Sequence, residues 1–214
     1  MTRDNRNSTA KGILDAASKV FAEKGFEGAR VDEIAATARV NKATLYYQLG
    51  DKRALYELMI TQVIGQMADE VIKQTAVVNG HSEKLQQFIE TIAQHTGIAS
   101  RFAPIMMREI ADGGRNLPDQ ALQQMGRVLS LLQSILEQGC QAGEFRQVNP
   151  LITHMLIIGS LMFYNTNEPI RARMTHLKQE GLDNRHFIST DEVVDHIVDL
   201  VIASVRKNDG EQTK

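Results

Sequence analysis

The sequence has little of what disulfide-bonded or membrane-spanning proteins need. It contains one cysteine, Cys140, which excludes an internal disulfide framework and favours a reducing cytosol. No apolar run reaches the ~18 residues that a membrane-spanning helix requires. The first residues, MTRDNRNSTAKG, lack the apolar segment of a secretion signal. We therefore expect a cytoplasmic protein with no membrane partner.

Proline and aromatic residues are also scarce. Four prolines, no tryptophan and 5% aromatic residues occur among 214 residues, whereas Leu, Ile, Val, Ala, Met and Gln are abundant. Apolar residues recur every three or four positions in most segments, which is the period of a helix. The pattern predicts an all-α fold of about nine helices. After Glu168 the chain turns polar, and the sequence leaves open whether a helix forms before Gly181.

Charge is distributed unevenly along the chain. The net charge is −2, which by itself argues against non-specific binding to nucleic acid. Residues 1–55, however, carry ten Lys and Arg against seven Asp and Glu, while the remainder carries fourteen against nineteen. A mildly basic N-terminal part joined to an acidic body suits a DNA reader whose body stays away from the phosphates.

The stretch from Glu27 to Lys52, EGARVDEIAATARVNKATLYYQLGDK, has the pattern of a helix-turn-helix. Val31, Ile34, Ala35 and Ala38 share one face of a first short helix. A break follows, and a second helix is predicted from about Lys42 to Leu49. Asn41 precedes this helix and its side chain can cap the first turn. Such a second helix can lie in the major groove of DNA.

The second helix of this motif divides into two faces. Leu45 and Leu49 point together toward the core. The opposite face carries Ala43, Thr44 and Tyr47, flanked by Lys42 and Tyr46. A small residue, a hydroxyl and a phenol can approach base edges and phosphates closely, so this face is the predicted DNA contact.

Lys52 follows Asp51, which can cap the next helix. A cation in the first turn of a helix is unfavourable because it opposes the helix dipole. A nearby DNA phosphate would account for it, so Lys52 is a further candidate for DNA binding.

These residues resemble the TetR/AcrR family of bacterial transcriptional regulators. The resemblance runs from about Ile13 to Leu55 through ILDAASKVFAEKGFEG, VDEIAATARV and NKATLYYQLGDKRAL. It implies a three-helix DNA-binding domain at residues 1–52 and a larger helical domain for ligand binding and dimerisation at residues 53–214. The family usually has Gly at the turn position occupied by Arg39, which predicts a left-handed backbone there. The expected contacts to double-stranded operator DNA are Arg30, Lys42, Ala43, Thr44, Tyr46, Tyr47 and Lys52.

Two later segments are predicted to form helices that are unusually apolar. Residues 150–165 follow the capping pair Asn149-Pro150 and are apolar around almost the whole helix, which requires burial on all sides. Residues 190–206 follow a capping box formed by Ser189 and Glu192. Together their apolar faces exceed what one small body can cover. In the resembled family the last two long helices build a four-helix dimer bundle, so we expect a homodimer through these segments.

A small-molecule effector is expected in the helical body, where methionine and aromatic residues are frequent. Methionine adapts to varied apolar ligands, although each of these residues could equally be part of a plain core. Arg108 could bind a ligand carboxylate, or instead pair with a neighbouring acid or solvent. The candidate effector-binding residues are Phe88, His95, Phe102, Met106, Met107, Arg108, Met125, Leu129, Met155, Phe163 and Tyr164.

The sequence predicts a ligand-responsive regulator, most often a repressor in the resembled family, in preference to two other classes of protein. A helical enzyme is one alternative, but no nucleophile–base pair, H-E-x-x-H or C-x-x-C occurs, and His95 and His154 lack partners at metal-ligand spacing. We therefore expect no catalytic residues, metal or cofactor. A helix-turn-helix that only binds proteins is the other alternative, and Tyr46, Tyr47 and Lys52 argue against it because they suit phosphates.

Overall fold

The chain folds into α-helices throughout the ranges that the computed structural model describes, residues 3–97, 100–176 and 188–207. Within these ranges, Phe145 and Arg206 also form an isolated antiparallel β-bridge. The all-α prediction is confirmed, and the polar segment after Glu168 does form a short helix. The helices are α1 Arg3–Gly28, α2 Val31–Thr37, α3 Lys42–Leu49, α4 Lys52–Ala76, α5 His81–Thr96, α6 Phe102–Ala111, α7 Asp119–Gln141, α8 Pro150–Thr166, α9 Glu168–His176 and α10 Thr190–Val205.

The helices form two compact units, each with its own core. The first comprises Met1–Gln66 and Pro104–Gln124, and the second comprises Met67–Ala103 and Met125–Lys214. The first unit therefore takes in most of α6 and the start of α7, which lie well beyond the residues 1–52 expected to form the DNA-binding domain.

In the first unit, α1, α2 and α3 contact one another. Their shared core is apolar and fully buried, which is what a three-helix head needs for stability. Gly25 interrupts α1 with φ 70° and ψ 178°. A positive φ is accessible to glycine at little cost, so the chain can turn there. The central core residues are Ile13, Phe21, Ile34 and Leu45, joined by Leu55 of α4.

Side-chain caps define several helix starts where the sequence predicts them. The Asn41 carboxamide accepts the Thr44 amide at 2.7 Å, and the Asp51 carboxylate accepts the Ala54 amide at 2.8 Å. Asn149 accepts the Ile152 amide at 3.1 Å ahead of Pro150. Ser189 and Glu192 form the predicted capping box. Each cap satisfies an amide that the helix itself leaves without a partner.

In the second unit, α5, α8 and α10 contact one another and α9 contacts α8. The turn after α7 is fixed by a close approach of Phe145 to Gly139. A Cβ atom on Gly139 would lie 2.2 Å from the Phe145 ring, so only glycine fits at that position. The central core residues are Leu85, Phe88, Ile92, Leu132, Ile157, Leu161 and Val205.

Candidate nucleic-acid interface and effector-binding residues

The helix-turn-helix is built from α2, the four residues 38–41 that form the turn, and α3. The turn depends on Arg39, which has φ 56° and so adopts the left-handed conformation that the sequence predicts. The amide of the next residue, Val40, donates to the Ala35 carbonyl at 3.0 Å and closes the end of α2. Arg30 precedes α2 in an extended conformation, with its side chain exposed. It is therefore accessible beside the motif.

The outward face of α3 is open to solvent. Leu45 is fully buried, whereas Tyr47 is 81% and Tyr46 44% exposed. Ala43 is also exposed, and Thr44, whose amide donates to the Asn41 side chain, is partly buried. A phenol that projects this far from a short helix has a large apolar surface in water without an internal partner to cover it. The arrangement is suited to contact with a groove.

Two of the candidate cations already have partners within the first unit. The Lys42 ammonium lies 2.8 Å from the Asp32 carboxylate, and this hydrogen-bonded pair raises the pKa of Lys42. The Lys52 ammonium donates to the Glu27 carbonyl at 3.2 Å and lies 4.6 Å from the centre of the Phe26 ring. A cation at the start of α4 is thus explained inside the protein, since a carbonyl and an aromatic face both favour it. The case for Lys52 at DNA no longer rests on the helix dipole.

The candidate effector-binding residues fall in both units. Met106, Met107 and Arg108 lie in the first, and the other eight lie in the second. Phe88, Phe102 and Met106 are buried, and His95, Met107, Met125 and Leu129 are partly buried. The Tyr164 hydroxyl donates to the Ile188 carbonyl, and the Arg171 guanidinium stacks on its ring at 3.5 Å. These partners account for the position of Tyr164.

Met155 and Phe163 differ from the expectation of a pocket lining, because they are 57% and 61% exposed. The inward face of α8 is instead formed by Thr153, Ile157 and Leu161, which are buried. Met155 and Phe163 each follow one of these buried residues by two positions, which is a rotation of about 200° around the helix. They therefore lie on the opposite, outward face. The sequence could not separate the faces because α8 is apolar on both.

Arg108 also has a different environment from the one predicted. Its guanidinium donates to the carbonyls of Ala22 and Glu23 in α1, the second at 3.0 Å. A ligand carboxylate would have to displace these two bonds. The neighbouring Glu109 is 2% exposed and accepts the Tyr56 hydroxyl at 2.6 Å. The sequence analysis did not select Glu109 or Tyr56, because a buried acid and its phenol partner 53 residues away leave no local pattern.

A groove of about 440 Å³ lies in the second unit between the end of α7 and the segment that leads into α8. Leu129 is the candidate effector-binding residue in its wall. Cys140 is exposed in this wall. The other wall residues are Gln133, Leu136, Glu137, Gln141, Arg146, Gln147, Val148, Asn149, Pro150 and Leu151.

His154 and Asn165 are polar side chains on the inward side of α8. Within the described part of the chain, the His154 Nδ1 and Asn165 Oδ1 atoms are buried without a hydrogen-bond partner. Burial lowers the pKa of His154, so its imidazole is held in the neutral form. The described residues contain no cluster of three acidic, histidine or cysteine side chains that could hold a metal ion.

An all-helical chain with an N-terminal helix-turn-helix, and with a helical body after it, defines a class of DNA-binding regulators. No helix in the described ranges is long and apolar enough to cross a membrane. Sequence comparison is more specific. The family described as bacterial regulatory proteins, tetR family, matches residues 13–59, and the tetracyclin repressor-like C-terminal domain matches residues 82–201.

Relatives agree with these matches. The chain is 30% identical over 170 residues to the HTH-type transcriptional repressor NicS of Pseudomonas putida, covering 78% of this chain and 76% of that protein. It is 26% identical over 153 residues to the HTH-type regulator YhgD of Bacillus subtilis, covering 69% and 78%. The chain therefore belongs to the TetR family and is a DNA-binding transcriptional regulator rather than an enzyme.

Solved structures show the same fold. A TetR family regulator from Marinobacter aquaeolei superposes with a TM-score of 0.74 at 18% identity, covering 97% of this chain and 100% of that one. The regulator FadR from Bacillus subtilis, solved in complex with stearoyl-CoA, gives 0.71 at 19% identity and covers 92% and 99%. At these identities the likeness concerns the fold alone.

Proposed function

We propose that the protein is a homodimeric repressor that leaves its operator when a small, mostly apolar molecule binds the helical body. The carrying observation is the solvent-open outer face of α3, with Tyr47 81% exposed, inside the segment that matches the family. Two relatives are named for repression, NicS and the biofilm operon negative regulator IcaR of Staphylococcus aureus, and these names support repression in preference to activation.

The proposed DNA contacts keep the sequence-derived set and divide it by role. Ala43, Thr44 and Tyr47 project from α3 toward base edges, where small and hydroxyl-bearing side chains discriminate sequence. Arg30, Lys42, Tyr46 and Lys52 flank this face and suit phosphates, which position the protein without reading bases. Lys42 would exchange Asp32, and Lys52 the Glu27 carbonyl, for phosphate oxygens. This division leaves base specificity with three residues of α3.

Homodimerisation is proposed mainly through the outward face of α8. Ile152, Met155, Leu156 and Phe163 are each more than half exposed on this helix. An exposed apolar stripe of this size favours burial against a second copy, and a two-fold axis would pair the stripe with itself. The proposed share of α10 is smaller, because Val193, Ile197, Val198, Val201 and Val205 are already buried in their own subunit, while Leu200 is 71% exposed.

The effector is proposed to bind in the body, residues 53–214, against residues drawn from the candidate set. In the second unit, Phe88 and Phe102 are buried apolar side chains and Met125 is partly buried. In the first unit, Met106 is buried and Met107 is partly buried. FadR, which shares the fold, binds stearoyl-CoA in its solved complex. That complex supports an apolar or acyl-bearing effector for this fold, without fixing its identity in this chain. Because the protein is a DNA-binding regulator, we propose that it acts in the cytoplasm.

The test begins with DNA. A duplex is selected from a random-sequence pool by the full-length protein, and the stoichiometry of the complex is then measured by sedimentation. A two-fold symmetric site bound by two chains is expected, with half-sites one helical turn or a multiple apart. A screen of apolar compounds by thermal shift follows, and each hit is added to the DNA complex. Hits that stabilise the protein yet leave duplex affinity unchanged would contradict release by an effector.

A further inference from the structure

We infer that Arg108 and Glu109 are positioning residues for DNA binding. These neighbours in α6 fasten α1 and α4 to each other within the first unit, and thereby set how α3 is presented to DNA. Both residues lie some 50 positions beyond the segment that matches the family's DNA-binding domain, which ends at residue 59. The inference concerns the protein without effector and does not depend on the proposed release mechanism.

Arg108 closes the end of the main segment of α1. Gly25 breaks the helical backbone there, and the last carbonyls before such a break lose their partners in the helix. The Arg108 guanidinium donates to the carbonyls of Ala22 and Glu23, and its positive charge suits the C-terminal end of a helix. A Cβ atom on Gly25 would meet the Arg108 Cδ at 3.3 Å, so the side chain lies directly against the break.

Glu109 holds α4 through the Tyr56 hydroxyl. The carboxylate Oε1 accepts Tyr56 at 2.6 Å and the Asn116 Nδ2 at 3.2 Å, and Oε2 accepts the Asn116 amide at 3.3 Å. Tyr56 is buried, and burial together with the adjacent carboxylate raises the pKa of Tyr56 above its ordinary range. Its hydroxyl therefore remains a donor. Three directional hydrogen bonds to one buried carboxylate fix the position of α4 relative to α6. Non-directional apolar contacts alone would let the two helices slide.

Tyr56 also connects this hydrogen bond to the head. Its ring meets Phe21 edge-on at 4.8 Å and Phe26 at 5.1 Å, and both lie in α1. Helix α1 in turn contacts α2 and α3. A change at Glu109 is thus transmitted to α3, the recognition helix, through the two aromatic contacts of Tyr56 and through α1. Arg108 contacts α1 directly, whereas Glu109 acts on α1 through Tyr56. The two residues therefore hold α1 at separate points.

The test compares full-length variants on a duplex selected by the unmodified protein. Tyr56→Phe removes one hydroxyl, and Arg108→Met keeps the stem against Gly25 while removing the donors. Each is expected to weaken binding to the selected duplex about tenfold, the loss typical of one hydrogen bond to a charged group. Binding to a shuffled duplex and its salt dependence should not change, because no phosphate contact is removed. Arg108→Lys, which retains a donor and the charge, should recover most of the affinity.

Arg115→Met is the matched control, since Arg115 is exposed and, within the described residues, forms its ion pair with Asp112, a neighbour in the sequence, at 3.2 Å. It should bind the selected duplex normally. A lower melting temperature with unchanged duplex affinity in Tyr56→Phe and Arg108→Met would overturn the inference and leave a stabilising role only.

Hydrogen exchange on the free protein gives a readout independent of DNA. Arg108→Met should speed exchange of the amides around Gly25, whereas Arg115→Met should not. The double variant Tyr56→Phe/Glu109→Gln should lose less duplex affinity than the sum of the two single losses, because both residues share one hydrogen bond. Unchanged exchange near Gly25, or strictly additive losses, would each contradict the assignment.

Discussion

Lys52 makes two contacts within the first unit and is also a proposed phosphate contact. The two roles predict different effects of a substitution on stability and on DNA binding. Replacing Lys52 with alanine removes its bond to the Glu27 carbonyl and its contact with the Phe26 ring. This should lower the free energy of unfolding by about 0.5–1 kcal/mol, as for an exposed cation–π contact. If Lys52 also binds a phosphate, the salt slope of duplex binding should fall by about one unit. Reduced stability with an unchanged slope would leave the structural role alone.

Tyr47 has no comparable internal role, because 81% of the residue is exposed. Tyr47→Ala should therefore weaken binding to the selected duplex by about 1–3 kcal/mol, the range of a good base contact, while the melting temperature stays the same. Val77→Ala, at a site that is 76% exposed outside the helix-turn-helix, is the control for removing exposed apolar surface. Equal binding by Tyr47→Ala and the unmodified protein would remove Tyr47 from the interface.

His154 makes stability depend on pH. Burial lowers the pKa of His154, so on acidification the unfolded chain takes up a proton at this position before the native protein does. The free energy of unfolding should therefore fall as the pH drops below about 6.5, by at most about 1.4 kcal/mol per pH unit for one proton. The fall should end once the native protein is also protonated.

This contribution is measured by denaturant unfolding between pH 8 and 5 at one protein concentration, because dimerisation would also affect stability. His154→Gln should flatten the pH dependence relative to the unmodified protein. His196→Gln, which changes an exposed histidine on α10, is the comparison. Parallel curves for His154→Gln and the unmodified protein would show that His154 is not held neutral.

At the scale of elements, α8 separates inward from outward apolar surface. Leu156→Glu and Phe163→Glu place a charge on the outward face, where both residues are more than half exposed. We expect folded monomers by sedimentation, because an unpaired charge in the proposed interface is costly while the subunit core is untouched. Val77→Glu is the control for an exposed charge elsewhere. Dimers that persist in both variants would place the interface on another surface.

Val201 shows that a variant designed to test the interface must lie on the exposed face of its helix. Val201 lies in the apolar segment 190–206, which the sequence analysis expects to be shared between subunits. It is 7% exposed and belongs to the core of its own subunit. A glutamate there should unfold the chain and give no information on dimerisation. Leu200, one position earlier and 71% exposed, is the α10 residue that tests the interface.

For the whole molecule, the sequence predicts features that depend on neighbouring residues. The caps at Asn41, Asp51 and Ser189 were predicted correctly because each bond spans three residues. The left-handed turn at Arg39 followed from its place in the motif. The role of Arg108 was not predictable, since its carbonyl partners lie 85 and 86 residues away. The faces of α8 were also not predictable, because a helix that is apolar throughout carries no periodic signal.

The first unit is discontinuous in sequence, and this has a consequence for synthesis on the ribosome. Glu109 is added 53 residues after Tyr56, which is several seconds at about 5–20 residues per second. During that time the nascent chain already contains its helix-turn-helix but not the α6 residues that fasten it. We expect tight operator binding only after α6 has emerged and folded. Chains that terminate before α6 would then carry α3 but bind the operator more weakly than the full-length protein.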